Sequence, residues 1–144
     1  MKHLIVTVGK PALAYARAGA EEYFSRLQHY GSFEWRQIKS GGLQGERLLS
    51  ASTGWFRVVL DERGMPVGTR DLAKKFTKWE LSTVKGLAFL IGGSEGHAKE
   101  VREAADWIWS LSPLTLQHEL ALVVMLEQIY RVQSLRRGEP YHRD

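Results

Sequence analysis

Apolar runs along the chain alternate with stretches whose apolar residues have helical spacing. Short apolar runs, several rich in β-branched residues, predict strands at 3–9, 33–38, 55–60 and 86–91. Helical spacing predicts helices at 13–30, 69–81 and 97–107, with a loop at 40–45 and at best a short helix at 46–52. This alternation favours one α/β domain, with a mostly parallel sheet flanked by helices on both faces. Two local signals refine the pattern: "DERGMPVG" (61–68) predicts a turn, and Thr69 predicts a helix cap.

The alternation ends in the last third of the chain. "WIWSLSPLTL" (107–116) predicts a short strand that runs into a tight loop, and 119–137 predicts a long helix. Residues 120–126 are all apolar, so nearly two turns of this helix are apolar around the whole circumference. Such a helix is either the centre of the core or has one face covered by a second chain. In a domain of this size we expect a homodimer.

The stretch "GLAFLIGGSEGHAKE" (86–100) places three glycines between a strand and a helical pattern. Their spacing, G-G-x-x-G, differs from the dinucleotide fingerprint and from the P-loop. A tight turn is one interpretation, with Ser94 capping the next helix and Glu95 favourable at its N-terminus. A ligand-binding loop is the other, and the local pattern leaves both open.

Composition narrows the functional classes. The 144 residues contain no cysteine, no apolar run of about 20 residues and five histidines without metal-ligand spacing. These features argue against thiol chemistry, a membrane span and a metal site, and we expect a cytoplasmic protein. The formal charge of +4 is compatible with nucleic acid. Its one modest basic concentration is C-terminal: Arg131, Arg136, Arg137 and Arg143.

Three segments together resemble a known family: "LIGGSEG" (90–96), "SLSPLTLQHELALVVMLEQIYR" (110–131) and "PYHRD" (140–144). Their order and spacing are similar to those of the bacterial ribosomal large-subunit pseudouridine N3-methyltransferases of the SPOUT class. The resemblance extends to the N-terminal "LIVTVGK" and weakens over 40–54. It implies a single SPOUT domain over 1–144 with a C-terminal trefoil knot, an obligate homodimer, and S-adenosylmethionine bound in a bent shape beside the dimer interface.

The resemblance also implies a cofactor site, in which glycines let the backbone approach the ligand closely. Its residues are Leu60, Gly92, Gly93, Leu111, Ser112, Pro113, Leu114, Thr115 and Leu116.

The implied reaction transfers a methyl group to N3 of a pseudouridine in helix 69 of 23S rRNA, within the large subunit or the 70S ribosome. His142 and His118 are the candidates to accept the N3 proton, with Tyr141 and Arg143 as positioning groups. Arg131 either binds phosphate or pairs with Glu127 one turn earlier, and both remain open.

Two alternative functions also remain open. One is a SPOUT-like methyltransferase that acts on another RNA nucleotide, and the other is a non-catalytic ribosome-associated RNA-binding module.

Overall fold

The computed structural model describes residues 1–141, and in this range five strands form one parallel sheet. Its order is β2-β1-β4-β3-β5, so β4 lies between β1 and β3. The α/β fold with a parallel sheet is therefore confirmed. The strands are β1 (Lys2–Val8), β2 (Phe33–Ile38), β3 (Phe56–Pro66), β4 (Gly86–Leu90) and β5 (Trp107–Ser110).

Helices cover both faces of this sheet, as parallel strands buried on both sides require. One face packs against α1, α3 and α5 in a cluster that includes Ile5, Phe76 and Phe89. The other face packs Leu4 and its neighbours against α2 and α4. The helices are α1 (Ala14–Leu27), α2 (Gln44–Ala51), α3 (Thr69–Glu80), α4 (Lys99–Glu103) and α5 (His118–Arg136), with a 3₁₀ turn at Gln28–Tyr30.

The predicted turn at 61–68 is wrong, because β3 continues to Pro66. Leu60 and Met65 both pair with Trp109 of β5, so the four residues between them bulge out of the strand. Gly64 sits where a Cβ would be 2.5 Å from the carbonyl oxygen of Ile108. The glycine therefore marks a close strand–strand approach within a bulge.

The helix predicted at 97–107 is also wrong in extent, since α4 spans only Lys99–Glu103. The segment after α4 is hydrogen-bonded to β3 instead of continuing the helix. Asp106 N–H donates to the Arg57 carbonyl at 2.9 Å, and Arg57 N–H donates to the Asp106 carboxylate at 2.7 Å. Ser94 lies well before α4, whose N-cap is Ala98, so Ser94 does not cap it.

Thr69 does not cap α3 either. Gly68 holds the N-cap position, and the Thr69 hydroxyl donates instead to Gln128 Oε1 on α5 at 2.8 Å. That bond joins two helices on the same face of the sheet. A tertiary contact thus replaces the predicted local one.

Helix α5 is only half covered by its own chain. Leu122, Met125 and Leu126 are buried, whereas Leu120 and Val124 on the opposite side are partly exposed. The interpretation of α5 as a fully covered core helix is therefore incomplete. No helix within residues 1–141 is long and apolar enough to span a membrane. The trefoil knot stays a prediction.

His3 is a buried imidazole at the start of β1. Its ring stacks on that of Phe33 with the two centroids 4.0 Å apart, and Nδ1 donates to the Ser32 carbonyl at 3.2 Å. Nε2 has no hydrogen-bond partner within residues 1–141. Burial lowers the pKa of His3 from 6.5 to about 4, because the charged form would be desolvated.

This histidine predicts an acid-sensitive fold. Between pH 6.5 and about 4, His3 is protonated in the unfolded chain but stays neutral in the folded protein. Stability from this group is thus complete above pH 6.5 and falls by roughly 3 kcal/mol by pH 4. We expect His3→Gln to flatten the pH dependence of the free energy of unfolding, measured by urea denaturation. His29→Gln, at an exposed position, is the control. An equally steep decline in His3→Gln would contradict the prediction.

Candidate active site at the carboxyl edge of the sheet

The loop that leaves β4, which we call the glycine loop (residues 91–98), separates two cavities. Because β4 is central in the sheet, its carboxyl end has β3 on one side and β1 on the other. Ligands in open α/β sheets bind outside the carboxyl ends of the strands, where the chain order reverses. Both cavities lie at this edge.

The first chamber is a cavity of about 520 Å³ on the β3 side. It is formed by the end of β3 with its bulge, the glycine loop and the segment that leads into α5. The lining residues are Leu60, Asp61, Glu62, Arg63, Ile91–His97, Leu111, Ser112, Leu114–His118 and Ala121.

The second chamber is a cavity of about 700 Å³ on the β1 side. It is formed by the end of β1, the start of α2 with the loop before it, the glycine loop and the start of α4. The lining residues are Val8, Ser40–Gly42, Gln44, Gly45, Leu48, Gly93–Ala98, Glu100, Val101 and His118.

The glycine loop folds back on itself. Gly96 N–H donates to the Gly93 carbonyl at 3.0 Å, and Gly96 has a φ of 77°, which favours glycine. A Cβ on Gly92 would lie 2.9 Å from the carbonyl carbon of Gly96. Gly92 is therefore required by the packing of the loop itself, which adds to the expected role of letting a ligand approach.

His97 fixes the end of this loop. Its Nε2 donates to the Leu90 carbonyl at 3.1 Å, and Arg102 Nη1 donates to the His97 carbonyl at 2.7 Å. Burial lowers the pKa of His97 below its ordinary value, so the ring is neutral. His97 therefore adds no positive charge to the wall between the two chambers.

The bulge of β3 supplies carboxylates to the first chamber. Burial would raise the pKa of Asp61, but hydrogen bonds from the Arg63 backbone and guanidinium, with its charge, lower that pKa below its ordinary value. Glu62 accepts a hydrogen bond from the Thr115 hydroxyl. This bond connects the bulge to the 111–116 loop across the chamber.

The start of α5 is held by polar contacts. Gln117 Oε1 accepts from the N–H groups of Glu119 and Leu120, which caps the helix. The Glu119 carboxylate accepts from the N–H groups of Ala12 and Leu13 at 2.9 and 2.8 Å, so the loop after β1 is fixed to α5. His118 lies between Gln117 and Glu119 in sequence and lines both chambers.

The structure brings most of the residues expected at the cofactor site into the first chamber. Pro113 belongs to the same loop but does not line the cavity. Those that line it are Leu60, Gly92, Gly93, Leu111, Ser112, Leu114, Thr115 and Leu116, together with the catalytic candidate His118.

Tyr141 does not join them within one chain. Its hydroxyl donates to Glu127 at 2.8 Å and lies 2.9 Å from the Tyr23 hydroxyl. Burial, together with those two residues, raises the pKa of Tyr141, so the phenol keeps its proton. Glu127 is nine residues beyond His118 on α5, roughly 13 Å along the helix axis. His142 and Arg143 lie outside the described residues.

Three of the four C-terminal arginines, Arg131, Arg136 and Arg137, are engaged by other residues of the same chain. Arg131 Nη2 pairs with Glu127 Oε2 at 2.6 Å, which is one of the two roles considered for Arg131. Arg136 pairs with Glu80, and the Arg137 guanidinium lies 4.8 Å from the centre of the Tyr30 ring. Two of these three guanidinium groups are thus paired with carboxylates, and the third is stacked on an aromatic ring.

Comparison with known proteins identifies the family. Residues 1–142 match the family model described as "Predicted SPOUT methyltransferase". The chain belongs to the SPOUT methyltransferase family. It is 50% identical over 143 residues to a ribosomal RNA large subunit methyltransferase H of Thermus thermophilus, covering 99% of each chain. Identity to the protein of the same name from Deinococcus deserti is 39%, covering 99% of this chain and all of that one.

Solved structures support the fold alone, since their sequences are distant. The tRNA (m1G37) methyltransferase from Aquifex aeolicus superposes with a TM-score of 0.56 at 16% identity, covering 99% of this SPOUT chain and 75% of the other. A putative methylase family protein from Neisseria gonorrhoeae gives a TM-score of 0.58 at 12% identity, covering 99% and 85%.

SPOUT methyltransferases use S-adenosylmethionine, and the first chamber suits that molecule. Adenosylmethionine joins an apolar-faced adenine to a sulfonium centre and to an amino-acid end that carries one ammonium and one carboxylate group. Leucines of the 111–116 loop offer an apolar enclosure, and the Glu95 carboxylate offers negative charge to the sulfonium and ammonium groups, whereas Asp61 is already paired with Arg63. Within residues 1–141, no group of three or more acidic or histidine side chains is placed to hold a metal ion.

Sequence reasoning misses two parts of this site. The sequence indicates a turn at Asp61 and Glu62, yet both residues line the first chamber. The outer wall of the second chamber comes largely from "SGGLQG" (40–45), for which the sequence predicts only a loop. The cluster of glycines after a strand is the available signal, because glycines recur where a backbone leaves space for a ligand.

The two adjacent glycines of the loop provide a matched test. Gly92→Ala places a Cβ within 3.0 Å of Gly96 backbone atoms, so we expect a loss of about 1–3 kcal/mol in the free energy of unfolding. Gly93→Ala meets only side-chain atoms at 3.6 Å or more, so we expect a change within about 0.5 kcal/mol. Urea denaturation measures both, and equal losses in the two variants would refute the role assigned to Gly92.

Proposed function

We propose that this protein is an S-adenosylmethionine-dependent methyltransferase acting on N3 of a pseudouridine in helix 69 of 23S rRNA, on the large subunit or the assembled ribosome. The observation that carries the proposal is the full-length relationship, at 50% identity, to a protein named ribosomal RNA large subunit methyltransferase H. The pseudouridine and its atom rest on the resemblance of the three sequence segments. The two adjoining chambers support a two-substrate reaction.

The chemistry assigns a task to each chamber. The residues of the first chamber would hold S-adenosylmethionine, which would supply a methyl group to N3 and keep the electrons of the carbon–sulfur bond on sulfur. N3 of the pseudouridine must lose a proton to react, and a side chain of the protein accepts that proton. Alignment of the reacting atoms supplies much of the acceleration, which is why a rigid glycine loop between the chambers matters.

His118 is the proton acceptor that the described residues favour. It is half-buried, lines both chambers and has Gln117 Nε2 at 3.2 Å from Nδ1. The amide nitrogen donates to the Nδ1 lone pair, so the neutral ring carries its proton on Nε2, and Nδ1 accepts the N3 proton once the Gln117 amide releases it. His142 remains the alternative acceptor from the C-terminal segment.

A homodimer is part of the proposal. Leu120 and Val124 lie on the face of α5 opposite the core and are partly exposed. Glu127 and Arg131, which hold Tyr141, lie on the same face one and two turns later. An antiparallel pairing of two α5 helices about a two-fold axis would bring Tyr141 of one copy toward His118 of the other.

The dimer predicts a specific loss on substitution. Val124→Asp places a carboxylate on the proposed interface, where burying an unpaired charge is strongly unfavourable. We expect this variant to be monomeric by sedimentation velocity, and inactive because its site lacks the C-terminal segment. Leu81→Asp, at a leucine that is 85% exposed at the end of α3, is the control and should keep the wild-type mass. A dimeric Val124→Asp variant would refute this interface.

The function is tested by incubating the protein with tritiated S-adenosylmethionine and ribosomes that lack the modification. Label mapped to N3 of a pseudouridine in helix 69 is the expected result. Label on another nucleotide would keep the enzyme class and replace the substrate. Failure both to label any RNA and to bind S-adenosylmethionine in calorimetry would overturn the proposal in favour of a binding module.

A further inference from the structure

The second chamber is the cavity from which a methyl acceptor can reach a methyl donor bound in the first chamber. Methyl transfer requires the accepting atom and the methyl carbon to lie about 3 Å apart and in line. The acceptor cavity must therefore open onto the donor cavity. The two chambers share Gly93–His97 and His118 as a common wall. A third cavity beside the glycine loop has only about 20 Å³, too little for a base.

The lining of the second chamber suits a neutral planar ring. Among residues 1–141, none of those that line it is a lysine or arginine. Glu95 and Glu100 place carboxylates at its edge, which disfavours a phosphate group. Leu48 and Val101 give it a buried apolar floor. A uracil-type ring has this character: it is uncharged, flat and rich in N–H and carbonyl groups.

Gln44 is the polar side chain best placed to read such a ring. It is the first residue of α2, is half-buried and lines the second chamber. Its Nε2 lies 3.8 Å from the point where a Cβ on Gly93 would sit, so the amide borders the wall shared with the first chamber. Its side-chain amide has no hydrogen-bond partner within residues 1–141. The nearby Arg47 guanidinium is occupied, since it donates to the carbonyls of Lys39 and Ser40.

We infer that the second chamber holds the acceptor base, a uracil-type ring, and that Gln44 donates an amide N–H to one of its carbonyl oxygens. This inference rests on the proposed function and adds the location and recognition of the acceptor. When N3 loses its proton to His118, negative charge spreads onto the two carbonyl oxygens beside N3. A donor held at one of these oxygens stabilises that charge as it develops.

Filling the chamber tests its assignment. A Cβ on Gly42 would meet no atom within 4 Å, and its φ is not positive, so a larger side chain is tolerated there. We expect Gly42→Phe to bind S-adenosylmethionine within about twofold of wild type, because the first chamber is untouched, and to lose methyl transfer by more than about 100-fold. Gly68→Phe is the matched control, with wild-type activity, because Gly68 lines neither chamber, has a φ of −74° and would also place its Cβ more than 4 Å from any atom. Transfer by Gly42→Phe at the wild-type rate would overturn the assignment.

The role of Gln44 is tested by measuring separately the Kd for S-adenosylmethionine and the kcat of methyl transfer. We expect Gln44→Ala to keep the Kd for S-adenosylmethionine and to lower kcat by about 100-fold, the usual cost of removing one such donor. The loss should shrink as pH rises, because solvent then assists removal of the N3 proton. Gln37→Ala, at an exposed position near the end of β2, is the control. An unchanged kcat, or a loss that is the same at every pH, would refute the role of Gln44.

Failure of the proposed function can be separated from failure of this inference. If wild-type protein binds S-adenosylmethionine but labels no RNA, the rRNA substrate is wrong. The chamber is then judged by titrating the S-adenosylhomocysteine-loaded protein with pseudouridine nucleoside and following amide resonances by NMR. Shifts at the Gln44 side chain and Ser94 that are lost in Gly42→Phe would support the inference. Shifts confined to other regions, or none at millimolar nucleoside, would overturn it. Urea denaturation of each variant confirms folding.

Discussion

The contact between the backbones of Gly92 and Gly96 is the constraint on which the site depends. It leaves no space for a side chain and closes the loop tightly at the end of the central strand. Because β4 has a parallel neighbour on each side, a compact loop at its end leaves one cavity toward β3 and another toward β1. A wider loop would fill one cavity or merge the two. The glycines thus give a thin, rigid partition.

Polar contacts between distant segments hold the rest of the edge around this partition. Glu119 fixes the loop after β1 to the start of α5, and Glu62 with Thr115 joins the β3 bulge to the loop before α5. Each contact pairs residues 53 or more positions apart in sequence. Segments that are irregular by themselves are therefore ordered by tertiary hydrogen bonds, which buried polar groups require.

Much of the fold could be predicted from the sequence, since the buried strands and long helices have strong periodicity. The failures occur where tertiary contacts override local signals. Asp61 and Gly64 are typical turn residues, but β5 pairs on both sides of them and makes the turn a bulge. Thr69 is a good capping residue locally, yet its hydroxyl bonds Gln128, far along the chain. The cofactor residues come from resemblance, and the second chamber is missed because no residue in 40–48 shows a ligand by itself.

The separate origin of the two cavity walls has a consequence for how this family diverges. The outer wall of the second chamber comes from residues 40–48, a segment that contributes nothing to the first chamber. The walls particular to the first chamber come from the β3 bulge and the approach to α5. Insertions or deletions between β2 and α2 can therefore reshape one cavity while the other keeps its form. A change of length in that segment would alter the second chamber while the residues particular to the first chamber stay in place.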